Sequence, residues 1–467
     1  MLGTHYRLDS SWRRPGDGTV IIAGSPLRLF RLSTGGAQVI AMLEVDAAPD
    51  TASVHQLFDR FVDAGALHPV HERGPFTAAD VTVVIPAYGS LPTLPEGVRV
   101  IVVDDASPTP LAPPETTSPD PAPPTFGDHV MAGLRVTWLR HDMNRGPAAA
   151  RNTGLAAVTT PLVAFVDTDV VLPPDWLQPL LAHFADVRVA LVAPRVAGQP
   201  GPSWLAGFEV RNSPLDLGAE PARIAAGTRV SYVPAAALLC RAATLRELGG
   251  FDEGMRWGED VDLVWRLTDA AHRCRYEPVS TVLHRPRPTL PALLRQRFGY
   301  GRSAASLAQR HPGALAPVRM SGWSALSWLL LAARRPWLAA AVAGGTAAAL
   351  ARKLHDVPPQ ESARLAGLGH LAAGRQFAQA IVRVWWPMAL VLAIVCRTAR
   401  LPVAAAFIAP SAMDAMRTRS MQPLVDAPVL ALEQMAYGAG VWTGVVALRE
   451  TGPLQPRFTN WPPRAGG

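Results

Sequence analysis

Lysine is almost missing from this chain: Lys353 is the only one among 44 basic residues. Cysteine is scarce as well, and Cys240, Cys274 and Cys396 are odd in number and far apart. That spacing excludes a disulfide framework and a cysteine-type zinc site, and it fits a reducing, cytoplasmic setting. Charged residues make up only 17% of the 467, against 49% apolar. Even so, no run reaches the ~18 uninterrupted apolar residues of a simple membrane span. The opening stretch MLGTHYRLDSSWRRPG has no apolar h-region, so no secretory signal is expected.

Arginine carries the formal charge of +7. Such an excess suits phosphate-bearing partners or an anionic membrane surface. A GC-rich genome produces the same excess, and no nucleic-acid partner is expected. The length allows two or three domains with a substantial core.

Residues 1–72 read as a small unit. GTVIIAG and PLRLFRLS have strand character around a Gly-Ser-Pro turn, and AQVIAMLE has helical spacing. In SVHQLFDRFVDAGAL, the residues Val54, Leu57, Phe58, Phe61 and Val62 repeat on one face before Gly65 ends the helix. Short strands with two or three helices predict a winged-helix-like module. HERGPFTAAD is a linker. Across residues 80–300, Val/Ile-rich runs such as VTVVIPAY, VRVIVVDDAS, LRVTWLRHD, PLVAFVDTDV and VRVALVAPRV alternate with helical stretches. This pattern predicts an α/β domain: a mostly parallel sheet with helices on both faces. SPTPLAPPETTSPDPAPPT, between Ala106 and Phe126, reads as a mobile, extended surface insertion.

Residues 301–467 form an apolar helical region. LRQRFGYGRSAASLAQRH has the pattern of a basic amphipathic helix. The segments Trp323–Ala351 and Val384–Met413 are each broken, by Arg334, Arg335 and Pro336 and by Arg397, Arg400 and Pro402. Each arginine at a bilayer centre costs roughly 2.5–3.5 kcal/mol, which argues against straight spans. Helices lying in a membrane interface fit the pattern, and so does a helical lid on a soluble domain.

The chemistry-bearing residues lie at strand ends, where ligands collect in open α/β sheets. The first strand ends in Pro86-Ala87-Tyr88 and the next in Asp104-Asp105, a pair that taken alone reads as a turn or cap. Gly146-Pro147 opens a helix whose N-terminal amides suit a phosphate, with Arg151 about one turn in. Asp167 and Asp169 end the strand LVAFV, where two carboxylates can meet one Mg²⁺ or Mn²⁺ ion. A Gly249-Gly250 turn and a loop lead to Glu259 and Asp260 at the mouth of the helix VDLVWRL, where the carboxylates either complement the dipole or supply a general base. His284, taken alone, reads as a surface histidine.

Together, VVIPAY, VVDDAS, NRGPAAARNTG, FVDTD and LGGFDEGMRWGEDVDLVWRL with a later histidine resemble the family-2 glycosyltransferases of the Rossmann-like GT-A fold. The likeness spans roughly residues 80–300. It implies nucleotide-sugar contacts at Pro86, Tyr88, Asp104, Asp105, Arg151 and Asp167. It implies a divalent ion at Asp167, Asp169 and His284, and a catalytic Asp260 with Glu259 beside it. The processive Q-x-x-R-W signature is absent, and RQRFGYGR occupies its region. With the N-terminal module and apolar tail, nearly the whole chain is similar to the glycosyltransferases of actinobacterial mycofactocin systems. That narrower likeness implies an inverting transfer of β-1,4-linked glucose from UDP-glucose to a peptide-derived redox cofactor precursor. It also implies peptide or pathway-protein contact through residues 1–72. The broken apolar tail and the cysteine usage together lead us to expect the cytoplasmic face of the membrane, with a purely cytoplasmic location as the alternative. Two other readings are a transferase acting on a lipid-linked or cell-wall acceptor and a peptide-binding adaptor with a vestigial nucleotide site.

Overall fold

The computed structural model describes residues 4–49, 51–90, 94–111, 127–131 and 134–459. Most of the expected insertion after Ala106 lies outside the described residues. Contacts divide the chain into two compact units. The first holds residues 1–11, 24–26 and 39–287, and the second holds residues 12–23, 27–38 and 288–467.

Near the N-terminus lie β1 (Thr4–Leu8), β2 (Val20–Ala23), β3 (Arg28–Arg31) and β4 (Leu67–His71). β1 pairs antiparallel with β4, and β2 with β3. The expected helix runs Ala52–Asp63, is capped by the Thr51 hydroxyl, and buries Val54, Phe58, Phe61 and Val62. Gly65, at φ 70°, follows its end in a conformation glycine adopts without strain. The acidic face of this helix is engaged within the first unit. Asp59 meets Arg188 at 2.5 Å and Arg273 at 3.0 Å, and Asp63 meets Arg273 at 2.7 Å.

The large sheet is built from β5 (Val81–Ala87), β6 (Arg99–Asp104), β7 (Gly127–Met131), β8 (Leu134–Arg140), β9 (Leu162–Val166), β10 (Val170–Val171), β11 (Val189–Gly198), β12 (Ala222–Arg223), β13 (Ala237–Arg241) and β14 (Arg273–His284). Its order is β10-β14-β11-β13-β9-β5-β6-β8-β7, with β12 also on β14. β9, β5, β6 and β8 form a continuous parallel block, and β11 is parallel to β14. The sheet is nevertheless mixed, because β13 runs antiparallel between β9 and β11. AALLC is a short apolar run of a kind that periodicity cannot assign to a direction or even to a strand.

Alternation along β5 shows why both of its faces are buried. Val81, Val83 and Ile85 join a core with Leu180, Leu181 and Phe184. Val84 points the other way, against Gly154 of the helix Pro147–Ala157, where a Cβ would have no room.

The second unit is helical. Leu290–Arg310 and Gln422–Leu448 pack closely because Gly301, Gly440 and Gly444 let the backbones approach. A buried Arg297–Glu433 ion pair of 2.8 Å joins the same two helices. The expected breaks are present: Gly322–Ala332 is followed by Pro336–Lys353, and Trp386–Val395 by Arg400–Thr418. Among the described residues, no single helix is long and apolar enough to cross a membrane.

Candidate active site

β9 delivers Asp167 and, one residue beyond Thr168, Asp169. The Asp167 amide donates to the Ala236 carbonyl at 3.0 Å. That bond ties the strand end to the start of β13, which reaches this edge because it runs antiparallel. β10 pairs Val170 with His284 and so brings the imidazole beside Asp169. His284 Nε2 lies 3.3 Å from Asp169 Oδ2, and Arg287 Nη2 lies 3.1 Å from the same oxygen. Burial works to raise the Asp169 pKa, but His284 and Arg287 outweigh it and hold the carboxyl below its ordinary range. His284 is only 8% exposed, so it is a buried residue of the strand end and not the surface histidine that its local sequence suggests.

Arg151 joins the two acidic groups of the site. Gly146, at φ 92°, and Pro147 start its helix. One turn in, the buried guanidinium donates through Nη2 to Asp167 Oδ1 at 2.7 Å and through Nη1 to Glu259 Oε1 at 2.8 Å. Its face lies 5.4 Å from the Phe251 ring centroid. Burial disfavours the charged guanidinium, yet the two carboxylates raise its pKa further.

Gly258, left-handed at φ 82°, opens the helix Glu259–Asp269 and puts Glu259, Asp260 and Asp262 in its first turn. The helix dipole favours negative charge there. Asp260 Oδ2 accepts from the Ala235 amide at 3.1 Å, and Oδ1 from the Val261 amide at 2.8 Å. Burial raises the pKa of Asp260 against these amides and Arg151, and the charge of Asp167 adds to the rise. Burial and then Asp260 raise Glu259 as well, against the opposing pull of Arg151. Asp262 is committed elsewhere, to Arg266 at 2.7 Å. Asp167, Arg151, Glu259 and Asp260 therefore form one interacting cluster drawn from three distant stretches of chain.

Asp104 and Asp105 behave differently from simple ligand contacts. Asp104 is fully buried and accepts from the Ser107 amide at 2.9 Å, the Leu111 amide at 3.2 Å, and Arg140. Burial raises its pKa, but the Ser107, Leu111 and Arg140 interactions bring it below the ordinary value. Asp105 Oδ1 accepts from the Arg145 amide and lies 2.8 Å from His141 Nδ1, while Oδ2 accepts from the Gly146 amide at 2.7 Å. The acidic pair thus shapes the loop that leads into the Arg151 helix. Pro86 is half-buried opposite Val103 in β6, and Tyr88 stands 56% exposed just past the end of β5.

Arg140, His141, Arg145 and Arg287 were not among the expected site residues. The HDMNRGP stretch and the HRPR run after β14 contain all but Arg140, yet nothing local marks their partners. Another such contact is Asn152 Nδ2, which donates to the Phe251 carbonyl at 2.8 Å and to Glu253 at 3.0 Å.

Among the described residues, no three His, Cys, Asp or Glu side chains are gathered around one point suited to a metal ion. Arg151 and Arg287 instead supply the positive charge at Asp167 and Asp169. The donors themselves, two carboxylates two residues apart and a buried imidazole within 3.3 Å of one of them, fit a hard divalent cation in place of those guanidinium contacts.

The sequence matches the family description "Glycosyl transferase family 2" over residues 82–215 and "Glycosyl transferase family group 2" over residues 162–407. It is 38% identical over 476 aligned residues, covering 98% of both chains, to the pre-mycofactocin glycosyltransferase of Mycobacterium tuberculosis. It is 29% identical to the succinoglycan biosynthesis protein ExoO of Rhizobium meliloti, over 43% of this chain and 58% of that one. Among solved structures, a mannosyltransferase from Pyrobaculum calidifontis in complex with GDP-Man and Mn²⁺ aligns over 64% of this chain and 90% of its own, at 18% identity and TM-score 0.35. Full-length kinship at this identity, joined to the mixed α/β sheet and its acidic strand end, makes the chain a member of the family-2 glycosyltransferases, an enzyme of the GT-A fold.

Proposed function

We propose that this glycosyltransferase moves a hexose, glucose by expectation, from a UDP-sugar to the peptide-derived mycofactocin precursor, inverting the anomeric carbon and making β-1,4 links. The acceptor reading is supported by the full-length relative called pre-mycofactocin glycosyltransferase. The observation that carries the chemistry is Asp260, a carboxylate with a raised pKa at a helix start, electrostatically joined to the Asp167 strand end.

The Ala235 and Val261 amides hold both Asp260 oxygens in place, so the carboxylate is oriented before the acceptor arrives. A raised pKa makes it a stronger base toward the acceptor hydroxyl, whose oxygen attacks C1 from the face opposite UDP. One displacement converts an α-linked donor to a β-linked product. Arg151 orients Glu259 and Asp167, and Arg287 adds a positive charge near the diphosphate. A Mg²⁺ or Mn²⁺ ion held by Asp167, Asp169 and His284 would supply Lewis-acid neutralisation of the departing diphosphate. Residues 1–72 serve as the winged-helix-like module that engages the peptide part of the acceptor or a pathway protein.

The test is incubation of purified enzyme with UDP-glucose and the peptide-derived acceptor, with and without EDTA, followed by mass spectrometry. Hexose-sized mass increments that vanish with EDTA are expected. UDP release only with a lipid-linked acceptor would refute this acceptor and favour the second reading, for which the exposed apolar helices of the second unit speak. Nucleotide binding with no transfer to any acceptor would favour the adaptor.

A further inference from the structure

Positive charge is concentrated in one part of this chain. From Pro288 to Met413 there are fourteen basic residues and two acidic ones, Asp356 and Glu361. Both acids are already engaged within the second unit. Asp356 meets Arg31 at 2.6 Å, and Glu361 meets Arg13 at 2.9 Å and Arg364 at 2.8 Å. The whole chain carries +7, so the remainder is net negative and this stretch alone is strongly cationic.

The same stretch presents apolar side chains to solvent. The helix Trp386–Val395, WPMALVLAIV, buries only Ala389. Ile394 is 75% and Val395 80% exposed. An open groove beside them is lined by Pro387, Met388, Val391, Leu392, Val395 and Trp442. The helix has no polar face at all, a pattern expected of buried or membrane-embedded helices. It ends at Cys396, and the exposed Arg397 and Arg400 follow. The break near Leu331 repeats the arrangement: exposed Arg334 and Arg335, then Trp337 at 86% exposure. Contiguous exposed apolar surface rimmed by charge marks an interaction site.

Three considerations choose the occupant. Ten helical residues extend about 15 Å, half of the ~30 Å hydrocarbon core, so this helix suits one leaflet and cannot cross. The preceding helix Pro359–Arg383 meets it at 88°, so the two form no straight span. A second copy of this patch would oppose arginine to arginine, with no acidic residue between Ser362 and Met413 to receive them. Lipid phosphates offer the complementary charge, and arginine binds them bidentately while its stem stays in apolar surroundings.

We propose that the Trp386–Arg400 turn docks on an anionic phospholipid bilayer. The helix Trp386–Val395 enters one leaflet, and Arg397 and Arg400 lie at the headgroups. The proposal is independent of which sugar or acceptor the enzyme uses.

The test is co-sedimentation of the full chain with phosphatidylcholine vesicles, with and without phosphatidylglycerol, at rising NaCl. Binding to the anionic vesicles that weakens with salt is expected. Each removed arginine lowers affinity roughly fivefold, so an Arg397→Gln/Arg400→Gln variant loses about 25-fold and has a shallower salt response. An Ile394→Ser/Val395→Ser variant loses the vesicles while keeping its circular dichroism spectrum and Tm, since both side chains are exposed. A wild-type chain that stays in the supernatant, or an Ile394→Ser/Val395→Ser variant that binds like wild type, overturns the proposal. A lipid-free dimer dissolved by the same substitutions overturns it too, by making the patch a self-interface.

Discussion

Replacing Asp260 with Asn is the sharpest test of the catalytic assignment. The side chains are nearly isosteric, so the perturbation is electronic. General-base assistance contributes about 10²–10⁴-fold, equivalent to about 2.7–5.5 kcal/mol of barrier, and kcat should fall by that factor. Two opposing effects bear on stability. The amide can accept from only one of the Ala235 and Val261 amides that now bind the two oxygens, and a buried donor facing a donor costs about 1–3 kcal/mol. Removing a carboxylate that burial disfavours recovers part of this. The net change in Tm is therefore small against the change in rate. The assay is UDP release at saturating donor and acceptor, beside calorimetric titration of UDP in the presence of Mn²⁺. UDP affinity should be unchanged. The wild-type rate should climb with pH through an acid limb lying above the ordinary aspartate value near 3.9, because only the unprotonated carboxylate accepts the proton. That limb should be absent from the variant. Turnover within tenfold of wild type would remove Asp260 from the proton-transfer step.

Asp169→Ala should weaken metal-dependent UDP binding at least tenfold and leave metal-free binding unaltered, read by titration with and without EDTA; equal affinities would end the metal role. Arg140→Met leaves the fully buried Asp104 without its counterion and should cost about 1.5–3 kcal/mol by urea denaturation. Since the Asp104 pKa is lowered in the folded state, its stabilisation is present above the unfolded value near 3.9 and is lost as pH falls through the lower folded value, so the variant should lose most near neutrality and progressively less as the pH drops through that folded value. Gly440→Ala drives a methyl group against the Phe298 carbonyl and should lower stability by about 1–3 kcal/mol, measured as a depressed Tm.

Local chemistry made much of this molecule readable. Val/Ile runs gave the parallel block, Gly146-Pro147 marked one helix start and the acidic run Glu259-Asp260 the mouth of another, and arginines with proline located the breaks in the apolar region. The acidic strand end stood out because Asp167 and Asp169 follow five apolar residues. Pairings across long separations were not readable. Arg151 reaches Glu259 across 108 residues, and no periodicity encodes such a bond. The saturation of Asp105 by Arg145, Gly146 and His141 emerges only once β6 and the 141–146 loop are adjacent. Arg287 was hidden because an arginine after a strand is most simply solvated, and only the β10–β14 ladder brings it to Asp169.

Arg273 has a consequence for anyone who would trim this enzyme. Its guanidinium is shared by Asp186 of the sheet domain and by Asp59 and Asp63 of the helix Ala52–Asp63, so the two parts use one counterion set. A truncated transferase beginning at residue 80 would keep the arginines and discard two of their acids. The leading segment is thus an electrostatic subunit of the catalyst, and shuffling it between homologues requires exchanging both sides of that contact at once.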